Sequence, residues 1–140
     1  VQGIGARALE FTILTAARSN ETLEARWSEF DFDKKIWTVP ASRMKAGREH
    51  RVVLSDAAYK VLDQVKPLRR KDDFVFPGQK FGRPASSMTM AMQLKRMKIA
   101  ATVHGFRSTF RDWVADETDF EEWVAEAALA HQTGDATERA

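Results

Sequence analysis

Six side chains stand out for the chemistry their types and spacing allow. Arg18 and Glu21 are three positions apart in "ARSNE", Lys45 lies in "RMKAGREHR", His104 and Arg107 open "HGFRSTFRDW", and His131 closes "ALAH". None is a strong nucleophile. They are cations and proton carriers, which suits work on a phosphate. A planar guanidinium grips two phosphate oxygens at once. A lysine held nearby can pass a proton to a leaving oxygen. A His-x-x-Arg pair shares one face of a helix, and near a helix N-terminus it adds to N–H groups that already attract phosphate.

Each residue also has a plainer reading. Arg18 taken alone suits a solvated arginine beside a helix cap, loosely paired with Glu21. A basic hairpin tip around Lys45 is usually just solvated. His-x-x-Arg recurs by chance. A histidine at a helix C-terminus, where His131 falls, is a favourable dipole partner with no further role needed. A metal site on His50, His104 and His131 lacks ligand spacing and an accompanying carboxylate cluster. With no cysteine in the chain there is no thiolate site and no disulfide framework. The expectation is no metal and no cofactor.

The elements that must position these residues follow from periodicity. Residues from about 6 to 17 read as a mostly buried helix, apolar at Leu9, Ile13, Leu14 and Ala17. "RSNE" breaks it, and Ser19 or Asn20 can cap a short second helix through Leu23 and Trp27. "KIWTVP" and "RVVLS" are β-rich runs joined by a loop containing Gly47, a hairpin pattern. Ser55 can cap the next helix, with Ala58, Val61, Leu62 and Val65 inward and Pro67 beyond its end. "DFVFPG" reads as a short extended piece closed by a turn, and "FGRPASS" as loop. A helix rich in methionine runs from Ser86 or Ser87 to about Lys98, with Met88, Met90, Met92 and Met97 as core filler. The four tryptophans read as core or interface anchors. Two more helices follow, at about 104–116 with Phe106, Phe110 and Trp113 as its apolar stripe, and at about 120–130. The fold class is α+β, mainly α, with one small antiparallel sheet.

Charge is segregated. Net charge is only +2, yet residues 34–111 hold eighteen Lys/Arg against five Asp/Glu, while residues 1–33 come to −3 and residues 112–140 to −8. A basic middle between acidic ends points to a polyanion on one face, with chance clustering on a solvated surface as the plainer account. Arg43, Arg48, His50, Arg83 and Arg111 are the further candidates for contacts to nucleic acid. The longest apolar run, "LEFTILTAA", is too short to span a bilayer, and no signal-peptide pattern is visible. A cytoplasmic protein is expected. The chain opens at Val1 without methionine and stops in "TERA", so it reads as an excised domain.

In order, the pieces are "TAARSNETLEARWSEFDF", "WTVPASRMKAGREHRVVLS", "VHGFRSTFRDW" and "ALAH". This series closely resembles the catalytic domain of tyrosine recombinases, specifically prophage and genomic-island integrases, over nearly the whole chain. The resemblance implies that fold for residues 1–140, as the C-terminal catalytic fragment of an integrase without its amino-terminal DNA-binding region. It makes Arg18 and Arg107 the catalytic arginines, Glu21 the acidic support of the first, Lys45 the general acid, and His104 and His131 the two histidines. It implies metal-independent transesterification through a 3′-phosphotyrosyl intermediate, on double-stranded attachment sites, by a tetramer on bacterial DNA in the nucleoid. Ala17 stands where the family often has glycine, and so does "LAH" before its histidine. The resemblance puts the nucleophilic tyrosine about ten residues after His131, so it is expected just after Ala140; the chain's one tyrosine, Tyr59, reads as a packing residue. Two alternatives share much of this reading: a non-catalytic DNA-binding module and a type IB topoisomerase-like enzyme. The "KAGREHR" hairpin and the "TAARSNE" surroundings favour the integrase over the topoisomerase. A metal-dependent nuclease lacks the carboxylates it needs.

Overall fold

Phe11 is the ring around which the elements gather. It meets Trp37 at 5.2 Å, Phe76 at 5.8 Å and Phe30 at 6.1 Å between centroids, T-shaped contacts that satisfy the ring quadrupoles. The computed structural model describes residues 3–96, 98, 102–105, 107 and 108. Arg111, His131, the expected helix at about 120–130 and all but the first turn of the one at about 104–116 lie outside the described residues.

The first helix, α1 (Ile4–Thr15), buries Ala8, Leu9, Phe11 and Thr12. The Thr12 hydroxyl is satisfied there, donating to the Ala8 carbonyl at 2.7 Å and lying 2.9 Å from the Thr22 hydroxyl. Ile13 and Leu14, expected inward, are 41% and 39% exposed, because the buried arc is centred on Ala8 and Phe11. Helix α4 (Ser87–Arg96) crosses α1 so closely that a Cβ on Gly5 would come within 2.7 Å of the Thr89 Cγ2. Only glycine fits that crossing.

Helix α1 stops where Ala16 turns left-handed, at φ 54° and ψ 29°. Ala17 N–H then reaches back to the Thr12 carbonyl at 3.2 Å, which closes the helix end. The left-handed backbone that favours glycine falls at Ala16, and Ala17 beside it is buried. Helix α2 (Ser19–Leu23) follows at once and ends before Trp27, which lies in a separate 3-10 turn at Trp27–Glu29.

Three antiparallel strands make the sheet: β1 (Phe30–Asp31), β2 (Ile36–Val39) and β3 (His50–Val53), in that order. Trp37 and Val39 point into the core from alternate positions of β2. The β2–β3 hairpin is the expected one; β1, only two residues long, carries no periodic signal and was not foreseen. Helix α3 (Asp56–Val65) starts at the expected cap, the Ser55 hydroxyl accepting from Ala58 N–H at 3.1 Å, and buries Ala58, Val61, Leu62 and Val65 as their spacing requires. Pro67 lies beyond the end of this helix, as expected, inside the 3-10 turn Lys66–Leu68 that follows it. Of the methionines on α4 only Met90 is core, while Met88 and Met92 are 64% and 40% exposed. Trp27 and Trp37 are both buried.

Tyr59 meets the ring of Phe32 edge-on at 5.9 Å, with Lys35 Nζ 5.4 Å from its centroid, so α3 packs it on the loop that joins β1 to β2. Among the described residues no helix is long and apolar enough to cross a membrane.

Candidate active site at the turn between the first two helices

Arg18 is the N-cap residue of α2. Its side chain cannot accept the hydrogen bond that Ser or Asp would take at this position, so Glu21 supplies the cap. The Glu21 carboxylate accepts the Arg18 backbone N–H at 3.2 Å through Oε1 and the Arg18 guanidinium at 3.2 Å through Oε2. Glu21 is nearly sealed, at 5% side-chain exposure against 22% for Arg18. A carboxylate that deep is costly unless paired, and the pairing fixes the half-buried arginine head.

The second expected arginine arrives from far along the chain. Thr102 begins its helix, with its hydroxyl accepting from Gly105 N–H at 3.0 Å, an N-cap one turn ahead of Arg107. Arg107 N–H closes that turn on the His104 carbonyl at 3.0 Å. The Arg107 side chain is buried, 3% exposed, and its Nη1 donates to the Ala16 carbonyl. A helix leaves its last carbonyls unpaired, at the negative end of its dipole, and a cation there is doubly favourable. So Arg18 and Arg107 meet at one turn: the first follows Ala16 by two residues, the second binds its carbonyl. His104, on the same helical turn as Arg107, is exposed.

Lys45 follows the 3-10 turn Ala41–Arg43 and the buried Met44 at the end of β2. Tight turns build this hairpin: Arg43 N–H to Pro40 O, Met44 N–H to Ala41 O, and Gly47 N–H to Met44 O at 2.9 Å. Gly47 takes φ +72°, which its missing Cβ permits. The Lys45 side chain is exposed. Arg43 turns inward: Nε and Nη2 clamp both oxygens of Glu29 at 3.0 and 2.6 Å, and Nη1 donates to the Glu21 carbonyl at 3.3 Å. Glu29, and the part Arg43 plays here, were missed in the sequence; the "SEFDF" stretch carries no signal for a contact fourteen residues away.

The remaining candidates are more scattered. Arg48 is exposed at the hairpin tip, and His50 starts β3 opposite Val39. Arg83 belongs to a separate loop, residues 78–83, pinned by Arg70 and Asp72. Arg70 clamps Asp72 and also reaches the Gly78 carbonyl at 2.8 Å, while Asp72 accepts Gly82 N–H at 2.9 Å. Burial pushes the Asp72 carboxyl up, but the Gly82 N–H and the Arg70 guanidinium outweigh it and hold the group below the ordinary 3.8. Arg111 and His131 fall outside the described residues.

Residues 5–139 match the model of the phage integrase family. This chain belongs to the phage integrase family. Prophage integrase IntA of Escherichia coli (strain K12) is 40% identical over 131 residues, covering 91% of this chain and 32% of that protein. The integrase of Enterobacteria phage P4 is 33% identical, covering 89% of this chain and 32% of that protein. The chain thus spans about a third of the length of these curated integrases. Among solved structures, XerH site-specific recombinase bound to its difH substrate superposes with a TM-score of 0.70 at 17% identity, over 96% of this chain and 41% of that one. The Tn1549 transposon integrase in complex with circular intermediate DNA also gives 0.70, at 14% identity, over 96% of this chain and 52% of that one. The fold expected for this integrase-family chain, mainly helical with a small antiparallel sheet, is the one these recombinases share.

Proposed function

We propose that this chain is the phosphate-holding part of the C-terminal catalytic domain of an integrase. The enzyme would carry out site-specific recombination of double-stranded DNA, moving a prophage or genomic island into and out of its attachment sites. The observation that carries the reading is the meeting of Arg18 and Arg107 at the Ala16 turn, with Glu21 bracing the first. Two cationic side chains anchored at one helix junction, one half-buried and one buried, suit a phosphodiester whose non-bridging oxygens gain charge during reaction.

The chemistry follows from these side chains. A tyrosine oxygen attacks phosphorus, a 3′-phosphotyrosyl bond forms, and the bond to the 5′-oxygen breaks. Lys45 gives its proton to that oxygen, and the phenolic proton passes to a histidine, for which His131 is the candidate. Arg18 meets the phosphate at the surface. Arg107 holds the Ala16 turn and adds a full charge from a setting where water screens it little. His104 donates to a non-bridging oxygen. Charge stabilisation comes from these cations, so cleavage needs neither metal nor cofactor. The nucleophile comes from residues following Ala140, because Tyr59 is committed to Phe32. Four protomers would assemble on two paired sites, at the nucleoid in the cytoplasm.

The test is covalent trapping on a nicked suicide substrate that loses its leaving strand. An adduct is expected from a chain extended by about twenty native residues, mapping to a tyrosine just after Ala140, and not from residues 1–140 alone. DNA binding by both chains with no adduct from either would favour a non-catalytic DNA-binding module. An adduct from the short chain, lost in Tyr59→Phe, would overturn the assignment of the nucleophile.

A further inference from the structure

A general acid must be held to within a fraction of an ångström of the atom it serves. Lys45 stands on a hairpin loop, the kind of element that is ordinarily mobile. The structure offers a specific remedy two residues away.

The Glu29 carboxylate, only 9% exposed, collects four donors: Arg26 N–H at 3.2 Å, Trp37 Nε1 at 3.1 Å, and the Nε and Nη2 of Arg43. Trp37 is fully buried, so Glu29 is fastened to the core. Arg43 grips it with a bidentate fork, the geometry in which an arginine has least freedom. The third nitrogen of Arg43 reaches the main-chain carbonyl of Glu21, one of the carbonyls α2 leaves open at its end. Glu21 is thus a joint. Its carboxylate holds Arg18, and its carbonyl is held by Arg43.

We propose that Arg43 is a positioning residue that locks the Lys45-bearing turn to the Arg18–Glu21 unit, so that proton donor and phosphate clamp form one body. Arg43 then acts through its neighbours and not as a DNA contact, the role its sequence position first suggested. The inference rests on the role given to Lys45 under the proposed function.

The test compares strand cleavage by the full-length protein on two substrates in single turnover. In one the scissile 5′-oxygen is unmodified; in the other sulfur replaces it. In both the tyrosine oxygen bonds to phosphorus. Oxygen must take a proton as it leaves, whereas sulfur departs as a thiolate and needs none. Lys45→Ala should be slow on oxygen and close to wild type on sulfur. Arg43→Met should follow it, about 100-fold slower on oxygen and restored to within a few-fold on sulfur. Adding Arg43→Met to Lys45→Ala should cost little further.

Arg43→Met alone leaves the Glu29 carboxylate buried without its partner and can unfold the protein. The pair Arg43→Met with Glu29→Gln removes both charges, keeps an acceptor for Trp37, and is measured alongside, with a thermal melt for each. A folded Arg43 variant that stays slow on sulfur while Lys45→Ala is rescued overturns the proposal, as does one with a near-normal rate on oxygen. If Lys45→Ala is itself not rescued, the proton-donor role of Lys45 fails first, and this inference falls with it for that separate reason.

Discussion

The Arg107 guanidinium donates to the carbonyl oxygen of Ala16, ninety-one residues earlier in the chain. One bond therefore joins the expected second arginine to the turn that carries the first. Arg107→Ala in a cleavage-competent chain should lower the single-turnover rate by about 10²- to 10³-fold, the scale of losing one preorganised donor. Arg107→Lys should also be poor, because an ammonium on a shorter stem lacks the planar fork that holds the Ala16 carbonyl. Near-normal cleavage by Arg107→Lys would remove Arg107 from the clamp.

The left-handed Ala16 carries a steric cost that glycine would not. Ala16→Gly should stabilise the chain by about 1 kcal/mol, raising the melting temperature by roughly 4 °C. A thermal melt followed by circular dichroism checks it. A lower melting temperature would mean that the Ala16 methyl contributes more by packing than it costs in strain.

DNA binding should weaken steeply with salt, since each phosphate neutralised contributes about −0.9 to the log–log slope on duplex DNA. Arg18→Ala should make the slope shallower by about one such unit, whereas Arg43→Met should leave it unchanged. Filter binding or fluorescence anisotropy from low to moderate salt measures both. A slope identical in wild type and Arg18→Ala would place Arg18 away from the phosphate.

The loop at residues 78–83 should respond to acid. Asp72 has its carboxyl held below 3.8 in the folded chain, so its charged form is favoured by folding. That contribution is complete above its unfolded value and fades as pH falls through the lower, folded one. Below pH 3.8 the loop should therefore loosen, read as faster amide exchange at Gly82 and Gly78. Asp72→Asn should show fast exchange already at neutral pH. If exchange at Gly82 is the same in Asp72→Asn as in wild type, Asp72 does not pin the loop.

Contacts between near neighbours were legible in the sequence, and distant ones were not. Arg18 and Glu21 sit within one turn, so their spacing alone predicted the pairing seen at 3.2 Å. Ser55 announced α3 for the same reason. The Arg43–Glu29 fork and the Arg107–Ala16 bond depend on how the sheet and helices fold back on one another, which no local pattern encodes. The methionines misled. Met88 and Met92 flank the buried Met90 at intervals of two, and a helix sends such neighbours to other faces.

The long reach from Ala16 to Arg107 also orders events while the protein is being made. A ribosome adds about 5 to 20 residues per second, so Arg107 is added roughly 5 to 20 s after Ala16. In that interval α1, α2 and the hairpin can already pack, and Arg18 can already sit on Glu21. The nascent chain then carries a surface cation without its buried companion. It is cationic enough to touch passing nucleic acid, yet its site is unfinished until most of this domain has been synthesised.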